Sequence, residues 1–355
     1  MVKKILNYSE TETNKILPIR YQWARDYFLM GVANNWVPEE IPMQEDIELW
    51  KKQDGLSEDE RRVIIWNLGF FSTAESLTAN NIVLSIYRHV GNPECRQYLL
   101  RQAYEEAIHT ETFIYCCDSL NLDPDYIYNM YINIPSIRDK DEFVVEMTKS
   151  IMDPGFAVKT LTDIQKFVND LVGYYMIMEG IFFYAGFAMM LNLLRHNKMV
   201  GIGEMFQYIL RDETIHLAFG SDLINTIVAE NPEIWTNDFT QSIIEKVKRG
   251  VELEHNYAKD SLPHGVLGLN EGMIREYLEY IADRRLERIN LPRIYNSRNP
   301  FPWLSEIMDL RKEKNFFERR VTEYRTHGQL KWEETAKWFI SDIYFHNSRN
   351  ILCLL

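Results

Sequence analysis

Apolar residues recur along the chain at three- and four-residue steps, the period of helices that pack by one face, and nowhere in the alternation of a half-buried strand. In 59–90, Trp66, Phe70, Ala74, Leu77 and Leu84 fall on or near one helical stripe, and in 94–120 Tyr98, Ala103, Ala107 and Ile114 do the same. Proline parses the chain, because it ends helices and biases the residue before it away from the helical region. Proline-free windows run over 43–92, 94–123, 155–231, 233–262, 264–291 and 303–355. RHNKMVGIG, 195–203, divides the third window into two helices of about 35 and 28 residues, and the charged SIRDKDE, 136–142, reads as a loop. There is no low-complexity tract and no Gly/Ser linker. The pattern predicts one all-α domain built on long helices.

One segment tests that picture. LVGYYMIMEGIFFYAGFAMMLNLL, 171–194, carries a single charge, Glu179, and by length and hydropathy is a membrane-span candidate. It reads instead as the central helix of a large bundle, apolar all round because buried all round. It has no flanking topology signal, and an acid facing lipid at mid-helix is costly. Composition agrees: with 46% apolar residues and only 16 Gly and 12 Pro in 355 residues, the chain can bury a large core and is neither turn-rich nor disordered. The net charge of −13 disfavours nucleic acid and anionic membrane as partners, since both need a basic footprint. MVKKILNYSETETNK at the start shows no secretory signal. Cys95, Cys116, Cys117 and Cys353 lack C-x-x-C spacing, so a reducing, cytoplasmic setting is expected.

The chemistry sits in two E-x-x-H tetrads, Glu106–His109 and Glu213–His216, each placing both side chains on one helical face. One tetrad is a weak signal. Here each follows an isolated acid in an apolar helix: Glu75 lies 31 residues before Glu106, and Glu179 lies 34 before Glu213. A buried ionised carboxylate must be paired or bound to metal, or it takes up a proton. Four carboxylates and two imidazoles in one core can be neutralised by two divalent cations, as in ferritin-like bundles that hold iron or manganese pairs. Oxygen-rich ligation without thiolate suits those metals. The expected fold is therefore an all-α, ferritin-like helical bundle with additional long helices.

The spacing Glu75, Glu106, His109, Glu179, Glu213, His216 resembles that of the small, radical-generating subunit of class I ribonucleotide reductase. The resemblance extends from GVANNWVPEE, 31–40, through RDETIH, 211–216, to NPFPWLSEIMDLRKEKNFFERRVTEY, 299–324. Most members of that family begin the ligand set with Asp and store a radical on a Tyr one turn after the first His. This chain has Glu75 and Phe113. A phenyl ring has no ionisable O–H, so the oxidising equivalent must reside elsewhere. The combination resembles the chlamydial type, class Ic, in which a dinuclear Mn/Fe centre oxidised by oxygen takes the place of the tyrosyl radical; Fe/Fe and Mn/Mn are the alternatives the same ligands allow. The resemblance further implies a charge-transfer path. Trp36 matches the relay tryptophan, Asp212 the acid linking it to His109, and Tyr324 the tyrosine that hands over to the large subunit. Tyr208 and Tyr115 match residues of cluster activation. Asp212 also has a physical rationale, since a ligating His usually donates its other N–H to a carboxylate.

Cys116 and Cys117 are adjacent on a helix and point apart, and no phosphate-binding loop is visible, so the chain is not expected to reduce nucleotides alone. The family supplies a large catalytic subunit as partner to a homodimer, together a ribonucleoside-diphosphate reductase. The resemblance divides the chain into a dimetal-carboxylate domain, 1–325, and a partner-docking tail, 326–355, with Trp338, Phe339, Ile343 and Phe345 as candidate anchors. Its rivals are a ligand-binding Mn/Fe oxidase on the same fold, iron storage of the ferritin type, and a metal-free helical scaffold. The oxidase relatives carry a Tyr–Val cross-link, and this chain has Tyr174 but Leu77 at those places. Ferritin subunits are about half this length, and the metal-free scaffold leaves four core acids unneutralised.

Overall fold

A computed structural model describes residues 4–6, 14–78 and 83–304. Among the described residues every regular element is helical, and the one strand-like pairing is an isolated bridge between Val266 and Leu269. The principal helices are α1 Gln22–Ala33, α2 Glu58–Leu77, α3 Pro93–Leu120, α4 Pro135–Met147, α5 Leu161–Arg195, α6 Val200–Glu230, α7 Asn237–Ser261 and α8 Glu271–Arg288. Local chemistry sets their ends. α2 opens on a capping box: the Ser57 hydroxyl accepts from the Glu60 N–H while the Glu60 carboxylate accepts from the Ser57 N–H. α3 starts with Asn92 accepting from the Cys95 N–H and with Pro93 in its first turn, and stops at Asn121 in the left-handed conformation. The turn expected at 195–203 separates α5 from α6, with Asn197 and Met199 both at positive φ.

α2, α3, α5 and α6 pack into a central four-helix bundle; α1 lies on α3, α4 on α7, and the α7–α8 pair on α5. The apolar segment singled out in the sequence is the inner helix. Every residue from 171 through 193 is buried. α5 is long and apolar enough to cross a membrane, yet 94% of its most apolar 18-residue window is covered by protein. Its middle, Val172–Phe182, is wound as a π-helix. Such wide turns are frequent at functional sites, and this one carries Glu179. From α8, Arg285 reaches in and donates Nε to the Gly180 carbonyl at 2.8 Å.

Two expectations are corrected. Residues 136–142 are not a loop; they lie inside α4. The charge pattern misleads there because Lys140 points inward: it is fully buried, its ammonium 2.8 Å from Glu254 and 3.3 and 3.8 Å from the ring centroids of Phe70 and Tyr257. The apolar stripe assigned to α3 is only partly its core face, since of its four residues Tyr98 alone is fully buried. Ala107 and Ile114 are exposed, as is Leu84, whereas Gln102, Glu105, Glu106, His109 and Thr112 are buried. The chain divides into Met1–Pro302 and Trp303–Leu355; the boundary expected after 325, Tyr324 and the four candidate anchors lie outside the described residues.

Lys140→Met strands Glu254 in the core and is expected to cost about 3–5 kcal/mol. Adding Glu254→Leu to Lys140→Met should recover most of that loss. Equal unfolding midpoints for the single and double variants would contradict the pairing.

Candidate metal centre

α2 delivers Glu75, α3 delivers Glu106 and His109, α5 delivers Glu179, and α6 delivers Glu213 and His216; all six side chains are at 0% exposure. Ligand atoms of Glu75, Glu106, His109 and Glu213 lie within 4.8 Å of one another, and so do those of Glu106, Glu179 and His216. His109 Nδ1 stands 3.4 Å from Glu75, 3.5 Å from Glu106 and 3.3 Å from Glu213. His216 Nδ1 stands 3.1 Å from Glu106, 3.4 Å from Glu213 and 4.0 Å from Glu179. Glu106 and Glu213 thus face both imidazoles, and Glu75 and Glu179 one each.

These atoms lack hydrogen-bond partners. Both oxygens of Glu75 and of Glu213, Oε2 of Glu106 and of Glu179, and Nδ1 of both histidines are buried and unsatisfied. Each such atom costs about 1–3 kcal/mol, and a cluster of them facing one pocket is what a pair of cations would satisfy. The donor set of carboxylate oxygen and imidazole nitrogen fits iron or manganese. Electrostatics point the same way. Burial holds the carboxyls of Glu75 and Glu179 well above the usual range. Burial opposes charge on His109 and His216, but the surrounding carboxylates outweigh it and raise both. Glu106, despite its burial, is pulled low by the two imidazoles.

Each imidazole is also gripped from behind. His109 Nε2 faces Asp212 Oδ2 at 3.4 Å, and the same oxygen accepts from Trp36 Nε1 at 2.7 Å. The other oxygen of Asp212 accepts from Arg211 at 3.2 and 3.1 Å. His216 Nε2 meets Glu105 Oε2 at 2.9 Å, and Glu105 Oε1 accepts from Arg101 at 2.8 Å. The support is crossed: the acid preceding each tetrad holds the histidine of the other. Glu105 escaped the sequence reading although the signal was present, since Glu105-Glu106 and Asp212-Glu213 both read acid, then E-x-x-H. Asn34, Asn35 and Trp36 clasp both supports, because Arg211 donates to the Asn34 carbonyl and Arg101 to the Asn35 side chain.

Of the residues expected in charge transfer and cluster activation, Tyr208 stacks on Trp36 at 5.1 Å, and Trp36 lies 6.3 Å from the His109 ring. Tyr115 donates its hydroxyl to the Ile41 carbonyl at 3.1 Å. Phe113 is fully buried, stacked on Phe71 at 5.7 Å and edge-on to Phe206 at 5.9 Å.

Single glutamates from two helices and E-x-x-H from two others define the helical dinuclear-carboxylate class. The family model for the ribonucleotide reductase small chain matches residues 13–300. Ribonucleoside-diphosphate reductase subunit beta of Chlamydia pneumoniae is 59% identical over 330 residues, 93% of this chain and 95% of the relative. The small chain of Plasmodium falciparum is 29% identical, over 92% of this chain and 87% of its own. Among solved structures, the ribonucleotide reductase R2 subunit from Clostridium botulinum superposes with a TM-score of 0.75 at 26% identity, covering 86% of this chain and 94% of that one. The chain belongs to the ribonucleotide reductase small-chain family and is the small subunit of that oxidoreductase.

A protein that binds cations only when folded gains thermal stability as their concentration rises. The wild type should show that rise with Mn(II) or Fe(II). Glu75→Gln, which removes one repelling acid, should leave the metal-free midpoint at or above wild type and shrink the rise. A lower metal-free midpoint with an unchanged rise would contradict the site.

Proposed function

We propose that Glu75, Glu106, His109, Glu179, Glu213 and His216 hold a dinuclear Mn/Fe centre that provides the oxidising equivalent for reducing ribonucleoside diphosphates on a large catalytic subunit. The observation carrying this reading is the cluster of unsatisfied buried ligand atoms with the phenyl ring of Phe113, not a phenol, one turn from His109. When bound, such a pair supplies one strong oxidant after reaction with oxygen. The chain's own residues do the remainder. Asp212 anchors the indole N–H of Trp36 and orients His109, so an electron leaving Trp36 has a proton acceptor 2.7 Å away. Tyr324 completes the path by resemblance, and Tyr208, stacked on Trp36 at 5.1 Å, is by the same resemblance an activation residue. Tyr115 we keep as an activation residue on the same ground.

The described thiols are unsuited to reducing a ribose: Cys95, Cys116 and Cys117 are buried and unbridged, burial pushes the first two well up, and Cys117 reaches about 11. The thiyl and the reducing dithiol therefore fall to the large subunit, and unbridged cysteines agree with a cytoplasmic setting. We assign the exposed stripe Leu100, Tyr104, Ala107 and Ile114 of α3 to contact with a second copy of the chain. Tyr104→Lys with Ile114→Lys should turn a dimer into a monomer on sizing, and a wild type that runs as a monomer would overturn the assignment.

The functional reading is tested by loading metal-free protein with Mn(II) and Fe(II), exposing it to oxygen, and measuring metal content, EPR and turnover with and without the large subunit. Near-equal Mn and Fe, a metal-centred signal without a tyrosyl radical, and turnover only in the complex are expected. Trp36→Phe should keep the metals and lose turnover. Full activity with iron alone would contradict the Mn/Fe assignment.

A further inference from the structure

An amide lies between two of the acids. Gln102, one helical turn before Glu106 on α3, is fully buried. Its Nε2 is 3.0 Å from Glu179 Oε1, 3.4 Å from Glu106 Oε1 and 3.0 Å from the Tyr174 hydroxyl. Its Oε1 accepts from the Tyr175 hydroxyl at 3.0 Å. The amide is oriented by the acids rather than by that last bond, since a hydroxyl can donate to its oxygen or accept from its nitrogen. Flipped, it would turn its carbonyl oxygen toward two carboxylates, which offer no proton to it when ionised. Tyr174 and Tyr175 are consecutive in the π-helical turn and straddle Gln102 from the stretch of chain that also carries Glu179. The seat of Tyr175 depends on Gly220 of α6, where a Cβ would collide with the tyrosine ring.

The consequence lies in which oxygens remain. The amide engages Oε1 of Glu106 and of Glu179, and Oε2 of both is buried without a partner. Glu75 and Glu213, beyond its contacts, keep both oxygens unsatisfied. One end of the pocket therefore presents unrestrained carboxylates, and the Glu179 end presents acids already held by one oxygen. We propose that Gln102, held by Tyr175, is a positioning residue that sets single-oxygen presentation of Glu179, and more weakly of Glu106, making the two cation positions unequal. This rests on the metal-holding reading above.

The experiment titrates metal-free, full-length protein with Mn(II) under anaerobic conditions and reads free Mn(II) by EPR, without turnover. Gln102→Met keeps length but removes the N–H groups; Tyr175→Phe keeps the ring over Gly220 but removes the hydroxyl that holds the amide oxygen. In both, one of two Mn(II) sites should weaken by roughly 10- to 100-fold, the magnitude typical of lost outer hydrogen bonds. The other site should stay at wild type, and the metal-free melting point should fall by no more than the loss of one or two buried hydrogen bonds accounts for. Should Gln102→Met fail to fold, Tyr175→Phe carries the test alone. Two sites of wild-type affinity in both variants would overturn the proposal, as would equal weakening of both sites with a lowered melting point. A wild type that takes up no pair at all would remove the metal-holding reading instead.

Discussion

Four carboxylates drawn from four helices into one dry pocket repel one another, and burial raises the free energy of every charge among them. The architecture around them can be understood as what tolerates that arrangement until cations arrive. Two imidazoles sit between the acids, with Nδ1 of His109 3.5 Å and Nδ1 of His216 3.1 Å from Glu106. Behind the imidazoles stand two more acids, Asp212 and Glu105, each balanced by an arginine nearer the surface. Charge therefore alternates outward from the pocket: acid, imidazole, acid, guanidinium. A cluster of phenylalanines, Phe71, Phe113, Phe183, Phe187 and Phe206, packs together beside it.

The two halves of the pocket match in pattern but not in surroundings. Behind His109, Asp212 leads to the indole of Trp36 and onward to Tyr208. Behind His216, Glu105 leads to Arg101, which reaches the side chain of Asn35 and lies 4.8 Å from the ring centroid of Tyr104. The Glu179 side carries a π-helical turn and an amide held between two tyrosines. A repeated ligand motif thus sits in two different surroundings.

Much of this was legible in the sequence because ligand chemistry is intolerant of substitution. Isolated acids in apolar helices, each followed by E-x-x-H, have little use in a core except to hold a pair of metals, and 171–194 announced itself as an inner helix. What failed has physical causes. On α3 the stripe chosen from apolar spacing runs partly along the exposed side, through Ala107 and Ile114, while the buried face mixes Tyr98, Leu99 and Phe113 with Gln102, Glu105, Glu106 and His109. At 136–142 the charges suggested solvent, but Lys140 is buried against Glu254 and two aromatic rings. The π winding of Val172–Phe182 leaves no trace in a stretch that is apolar at nearly every position. Glu105 and Gln102 were visible as residues but not as partners, since their roles depend on which histidine and which acid the fold sets opposite them.

The central claim is that these six side chains grip two different cations. Anomalous diffraction from protein crystals loaded with both metals, collected at the manganese and iron absorption edges, tests it most directly. The account predicts two peaks about 3.5–4 Å apart, one beside His109 Nδ1 and one beside His216 Nδ1, with Glu106 and Glu213 reaching both. A single peak, or manganese and iron scattering only at the protein surface while the six side chains stay metal-free, would contradict it.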